Sequence, residues 1–252
     1  MVLGGSSGLG LATAKRLAQA GYSILCIHRD RRVDMDRIKA EFSKIESLGL
    51  GFHSFNTDAT NSSKQEALVE EIKAVLGKGK IAVLVHSIAK GNLKPMNSDQ
   101  GPNLQNQDFG LTINAMATSF YDWVRLVVEH ELHSTDLRAI AFTSEGNTKA
   151  WEHYGAVSAA KAALEAIMRS IALEFAPIGI KANCIQAGVT DTPSFRRIPG
   201  SETLKESALQ RKPNGRLTTP EDVATAAYLL SLPEASWING TVVKADGGES
   251  LR

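Results

Sequence analysis

Leu3-Gly4-Gly5-Ser6-Ser7-Gly8-Leu9-Gly10 stands between an apolar strand stub, Met1 to Leu3, and a helical pattern from Leu9 to Gln19. Glycines at such a junction let the backbone turn tightly and approach a bound anion, and the helix N-terminus adds N–H groups and partial positive charge. A strand, glycine-rich turn and helix in that order is where a dinucleotide-binding fold turns its chain beneath a pyrophosphate. Three residues is short for the central strand of such a fold, which leaves open whether residues precede Met1.

Outward from this turn, short β-rich runs alternate with longer helical patterns through the whole chain. The strand candidates are Ser23 to His28, Gly51 to Phe55, Ile81 to His86, Leu137 to Thr143, Ile180 to Gln186 and Thr241 to Ala245. Between them lie helical patterns at Val33 to Ser47, Ser62 to Leu76, Asp108 to Glu131, Ala156 to Phe175 and Pro220 to Leu230. The last opens Thr219-Pro220-Glu221-Asp222, an N-cap followed by proline and two acids at the positive end of the dipole. Strands alternating with helices, joined by right-handed crossovers, predict an α/β protein: one Rossmann-type doubly wound parallel sheet with helices on both faces. No composition shift or linker divides residues 1–252, so a single domain is expected. Val189 to Lys212, interrupted by Pro193, Pro199 and Gly200, reads as a long binding loop or lid that closes over the substrate.

Composition narrows the function. The 252 residues carry 28 Lys and Arg against 27 Asp and Glu, a net charge of +1, so no global field favours nucleic acid or an anionic membrane. No apolar run approaches the roughly 18 residues of a spanning helix, and the chain opens on glycines in place of a basic segment and an apolar one. A cytoplasmic protein is expected. Cys26 and Cys184 sit in apolar surroundings without metal-ligand spacing, which points to buried thiols and to neither zinc nor a disulfide.

The spacing Gly4-x-x-x-Gly8-x-Gly10 resembles the short-chain dehydrogenase/reductase family, and further motifs follow in that family's order. Asn56-Thr57-Asp58-Ala59, Thr112-Ile113-Asn114-Ala115, Ala187-Gly188-Val189-Thr190-Asp191-Thr192, Gly215-Arg216 before Pro220-Glu221-Asp222, Asn239-Gly240 and Asp246-Gly247-Gly248 extend the resemblance over essentially the whole chain. It implies a nicotinamide dinucleotide held by Gly4, Ser6, Ser7, Gly8, Leu9, Gly10, Asp58, Ala59, Ser87, Ile88, Lys161, Gly188, Val189 and Thr192. It further implies that Asp58 contacts the adenine, that Asn114 helps hold Lys161 and a relay water, and that the protein is a homotetramer. The end of the second strand reads Ile27-His28-Arg29-Asp30: His28 stands where an NAD enzyme places its acid, and Arg29 beside it suits the 2′-phosphate of NADPH.

Most ketone-reducing relatives carry a tyrosine four residues before the active-site lysine. Here Val157 stands four before Lys161, and the nearby tyrosine, Tyr154, stands seven before. At about 100° per residue both positions share the lysine's helix face, the second about 4.5 Å further along the axis. A displaced phenol suits an enoyl thioester, in which hydride enters at the β-carbon while charge develops on the carbonyl oxygen two bonds away. The Tyr-x6-Lys spacing, Val85-His86-Ser87-Ile88-Ala89 and Ala187-Gly188 resemble the bacterial enoyl-acyl-carrier-protein reductases. Ser144 falls where the wider family places its catalytic serine, and with Asn114 it points to the NADPH-dependent members that keep those features. Tyr154, Lys161, Ser144 and Asn114 are therefore the expected catalytic residues. The expected substrate is an acyl thioester, on acyl-carrier protein in fatty-acid elongation. The alternatives are a 3-oxoacyl-carrier-protein or other carbonyl reductase, and a catalytically silent NADPH-binding protein.

Overall fold

The computed structural model describes residues 1–252. Seven parallel strands form one sheet: β1 (Val2–Leu3), β2 (Ile24–His28), β3 (Phe52–Asn56), β4 (Ile81–His86), β5 (His133–Ser144), β6 (Ile180–Ala187) and β7 (Val242–Ala245). Their order is β3-β2-β1-β4-β5-β6-β7, so the winding reverses between β1 and β4, where Val2 pairs with Cys26 on one side and Val85 on the other. A crevice opens at the carboxyl ends of the strands at such a reversal.

Eight α-helices cover the sheet: α1 (Gly8–Gln19), α2 (Met35–Glu46), α3 (Ser62–Leu76), α4 (Asn106–Ile113), α5 (Ser119–Glu129), α6 (Gly155–Glu174), α7 (Ser201–Arg211) and α8 (Pro220–Ser231). Alternation along the strands divides the core in two. Val2, Cys26, Val85, Ile140 and Ile185 pack with Leu17 of α1 and Val223 of α8. Leu3, Ile27, Leu84 and Leu137 pack on the other face with Phe120 and Trp123 of α5 and Leu164 of α6. Cys26 and Cys184 are buried in these layers, where burial pushes both thiols up to about 12, leaving them protonated. No helix is long and apolar enough to cross a membrane.

Two expectations are corrected. The pattern from Asp108 to Glu131 is no uniform helix: Asn114–Thr118 form a π-helical turn between α4 and α5. The segment from 189 to 212 is not all loop, since Phe195–Arg197 form a 3-10 turn and Ser201–Arg211 form α7. Only Ala208 of α7 is buried, so its sequence lacked the apolar stripe by which helices are read. The Thr219 cap does form as expected, with Thr219 and Asp222 bonding each other's backbone N–H in a capping box.

Candidate active site

A cleft of about 800 Å³ runs across the carboxyl ends of β1, β2, β4, β5 and β6. Gly4, with φ of 83°, carries the chain from β1 into the turn. A Cβ on Gly4 would stand 2.4 Å from the Ser87 carbonyl oxygen, and one on Gly10 would stand 2.2 Å from that of Gly4, so glycine is required at both. Ser7 makes no side-chain cap and the first turn of α1 holds no acid, which leaves the first N–H groups of the helix for an anion. Gly4, Ser6, Ser7, Gly8 and Leu9 line this end of the cleft, with Thr192 across from Gly8. Gly10 does not line it; its contribution is the close packing of turn against helix.

At the next strand end His28 is buried, its Nδ1 2.8 Å from Asp30 Oδ2. Arg29 is 61% exposed and donates from Nη1 to Asp58 Oδ2 at 2.8 Å, and Lys90 donates to the same oxygen at 3.2 Å. Burial alone would raise the Asp58 carboxyl, but hydrogen bonds from Thr60 and Lys90 outweigh it and hold the group at about 2. Two residues assigned separately to phosphate and adenine thus form one ion pair at the cleft mouth. Ala59 beside them is fixed through its carbonyl, which accepts from Trp123 Nε1 at 2.9 Å and Gln65 Nε2 at 3.0 Å.

The opposite end gathers Ser144, Tyr154 and Lys161 on the cleft wall. Lys161, in the second turn of α6, is buried and donates to the Phe142 carbonyl at 2.6 Å; burial lowers its amine to about 8. Tyr154 is the N-cap of α6, so the helix does not extend through it. His153 before it is left-handed, with φ of 61°, and this bend sets the phenol into the cleft. Burial pushes the phenol's pKa up, opposed by the adjoining Ser144 hydroxyl, although Ser144 Oγ completes no hydrogen bond of good geometry. The ring lies against Gly146, where a Cβ would stand 2.5 Å from Tyr154 Cε1. Glu165 of α6 fixes that turn by accepting from Thr143 Oγ1 and Asn147 Nδ2, both at 2.6 Å.

Val157 occupies the position four before Lys161, and its Cγ2 would meet a Cβ on Gly91 at 2.6 Å. Tyr154 is the only tyrosine lining the cleft, beside an apolar wall of Leu93, Met116, Trp151, Val157 and Ile198. Asn114 departs from its expected placement. It is exposed, does not line the cleft, and its Oδ1 accepts from Thr118 Oγ1 at 3.2 Å. A π-helical turn begins at Asn114. His86 is buried against Ser119 and Phe120, and burial, with the Lys161 charge, lowers it to about 3, so it remains a neutral framework residue.

A set of charged groups carried no sequence signal: Glu145, next to Ser144, and Glu249, in the C-terminal tail, line the cleft, and Arg211 and Lys212 at the end of α7 pair with them from behind. They are scattered along the chain without a shared motif, so no local signal marked them. The Gly188 and Val189 segment lies against them, and Gly188, Val189 and Thr192 line the cleft as expected, as do Ser87 and Ile88.

A buried tyrosine and lysine, with the buried hydroxyl of Ser144 beside them, placed opposite a helix end with free N–H groups suit hydride chemistry on a bound dinucleotide. Over residues 4–250 the chain matches the sequence profile of the family described as enoyl-(acyl carrier protein) reductase. The chain belongs to the short-chain dehydrogenase/reductase family. As a member of this family of oxidoreductases it is similar, at 25% identity and a TM-score of 0.83, to a Burkholderia cenocepacia short-chain dehydrogenase solved in complex with NADP, covering 99% of this chain and 96% of that one. It is 28% identical to a tropinone reductase homolog of Arabidopsis thaliana, over 98% of this chain and 89% of the relative. It is also 24% identical to the (2S)-[(R)-hydroxy(phenyl)methyl]succinyl-CoA dehydrogenase subunit BbsD of Thauera aromatica, over 100% of this chain and 96% of that one.

Proposed function

We propose that this reductase uses NADPH to reduce the carbon–carbon double bond of trans-2-enoyl thioesters. The observation that carries the reading is the placement of the phenol: Tyr154 lies at the N-cap of α6, and Val157, packed toward Gly91, fills the position of the ketone-reducing tyrosine. When bound, the reduced nicotinamide supplies hydride to the β-carbon. Tyr154 donates a hydrogen bond to the thioester oxygen as it gains negative charge, and Ser144 Oγ, buried and without a partner, is a second donor beside it. Lys161 has donors left after its bond to Phe142; these hold the nicotinamide ribose, and its charge stabilises the phenolate form of Tyr154. The α-carbon then takes a proton from water, so that hydride and proton together saturate the double bond and Tyr154 ends protonated as it began. Leu93, Met116, Trp151 and Ile198 offer the acyl chain an apolar surface.

NADPH is preferred because Arg29 is exposed at the cleft mouth with only one of its nitrogens bound to Asp58, leaving donors for a 2′-phosphate. The family's profile description supports acyl-carrier protein as carrier; a place in fatty-acid elongation and a homotetramer rest on the motif resemblance alone. Two observations favour carbonyl reduction as a second reading. Ser144 adjoins Tyr154, and the relatives named above are called a tropinone reductase homolog and a dehydrogenase. NADPH consumption at 340 nm, measured with crotonyl and with acetoacetyl thioesters, separates the two. Faster turnover of the crotonyl substrate is expected, and turnover of acetoacetyl thioester alone would replace the first reading by the second.

A further inference from the structure

Glu249 is 2% exposed and gathers three partners from distant parts of the chain. Its Oε1 accepts from Arg211 Nη2 at 2.8 Å, and its Oε2 accepts from the Val189 backbone N–H at 2.9 Å and forms an ion pair with Lys212 Nζ at 2.7 Å. Lys212 Nζ also donates to the Asp246 carbonyl at 2.7 Å and to Thr218 Oγ1 at 2.5 Å. Arg211 continues to Glu145 Oε2 at 2.8 Å, next to Ser144. A Cβ on Gly188 would stand 2.3 Å from Lys212 Nζ, so the Gly188 backbone rests on that ammonium group. The carbonyl of the Gly188–Val189 peptide accepts from Thr190 Oγ1 at 2.8 Å while its N–H is held by Glu249. A planar peptide fixed at both ends cannot rotate.

Burying an ion pair this deeply adds little to stability, because desolvation offsets the attraction. Positional constraint is what it does supply here. Ala187 pairs with Ser144 across β6 and β5, so Val189 and Thr190 line the same end of the cleft as Ser144, Tyr154 and Lys161. We propose that Glu249 is a positioning residue for the nicotinamide half of the cofactor: it holds the Gly188–Val189 peptide, and with it that wall, in the orientation that receives the ring. This rests on the cofactor reading above. Glu249 acts through the backbone and through the charges at the end of α7.

The test compares calorimetric binding of NADPH with that of adenosine 2′,5′-bisphosphate, which carries the adenosine half alone, while thermal unfolding is followed for each variant. Glu249→Ala and Glu249→Asp, which delete or withdraw the acceptor, should weaken NADPH about tenfold, the scale of one hydrogen bond to a charged group. Both should leave the bisphosphate unchanged within about twofold, whereas Glu249→Gln, which keeps an acceptor at the same reach, should stay within about threefold of the unaltered protein for NADPH. Should Glu249→Ala not fold, the contrast between Asp and Gln decides. Equal weakening of both ligands, or NADPH binding that is indifferent to all three substitutions, would overturn the proposal. Unaltered protein that binds neither ligand would overturn the cofactor reading itself, and this inference with it.

Discussion

Gly146→Ala tests how the phenol is held. Its φ is ordinary, since Gly146 is absent from the left-handed glycines, so the backbone accepts alanine and the conflict is confined to the added methyl group. That methyl would stand 2.5 Å from Tyr154 Cε1 and 2.9 Å from Cδ1, where carbon contacts require about 3.5–4.0 Å. The ring must therefore retreat by about 1 Å, and displacement on that scale costs about 10²-fold in rate when it affects a reacting group. Overpacking adds about 1–3 kcal/mol of destabilisation. Steady-state kinetics with crotonyl thioester should show kcat reduced about a hundredfold, with the NADPH dissociation constant preserved. Introduced into a Tyr154→Phe background, the same alanine should cost much less additional rate, because the hydroxyl it displaces is already gone. A folded Gly146→Ala protein with full kcat would refute the geometry described for Tyr154.

Arg29→Ala should weaken NADPH by about 1.5 kcal/mol, the low end for a charge-assisted hydrogen bond given the exposure of the guanidinium, and leave NADH unchanged; an unaltered NADPH/NADH ratio rejects Arg29 as the selector. Burial lowers the Lys161 amine to about 8, so kcat/KM should fall as pH rises through about 8, and Lys161→Arg, charged throughout, should shift that limb upward. The sign for stability is opposite: between about 8 and the ordinary lysine value near 10.4 the unfolded chain binds more protons, so this group's contribution to stability rises with pH. A falling rate in that window therefore cannot come from Lys161-linked unfolding, which circular dichroism at the same pH values checks. His153→Gly relieves a left-handed residue at a net gain of about 0.5–1 kcal/mol and should leave kcat nearly unchanged; a large loss would give His153 a direct role.

The sheet was legible because its strands are short apolar runs bounded by turns and its main helices carry apolar stripes, as the agreement at β4 and α3 shows. Helix α7 was not, because its fixation comes from Arg211 and Lys212 at its end and not from an apolar face. The glycine-rich turn was readable from glycine spacing, since contacts as close as Gly4 to Ser87 exclude side chains. Tyr154 and Lys161 were singled out by motif resemblance, but the helical spacing expected to relate them stops short, because α6 begins at Gly155 and the left-handed bend at His153 places the phenol. Asn114 illustrates the limit of motif transfer: the residue matches, yet it is exposed and bonded to Thr118 outside the cleft. Pairing of Arg29 with Asp58 depends on two loops meeting at neighbouring strand ends, which no local pattern encodes.

The hydroxyl of Tyr154 is central to the proposed mechanism, and single-turnover reduction of crotonyl thioester by Tyr154→Phe loaded with NADPH measures its contribution most directly. A rate reduced by about 10²–10⁴, with NADPH affinity nearly intact, is the predicted result for loss of an acid or oxyanion donor. Full crotonyl reduction by the phenylalanine variant would contradict the displaced-phenol mechanism and remove the main physical support for an enoyl substrate.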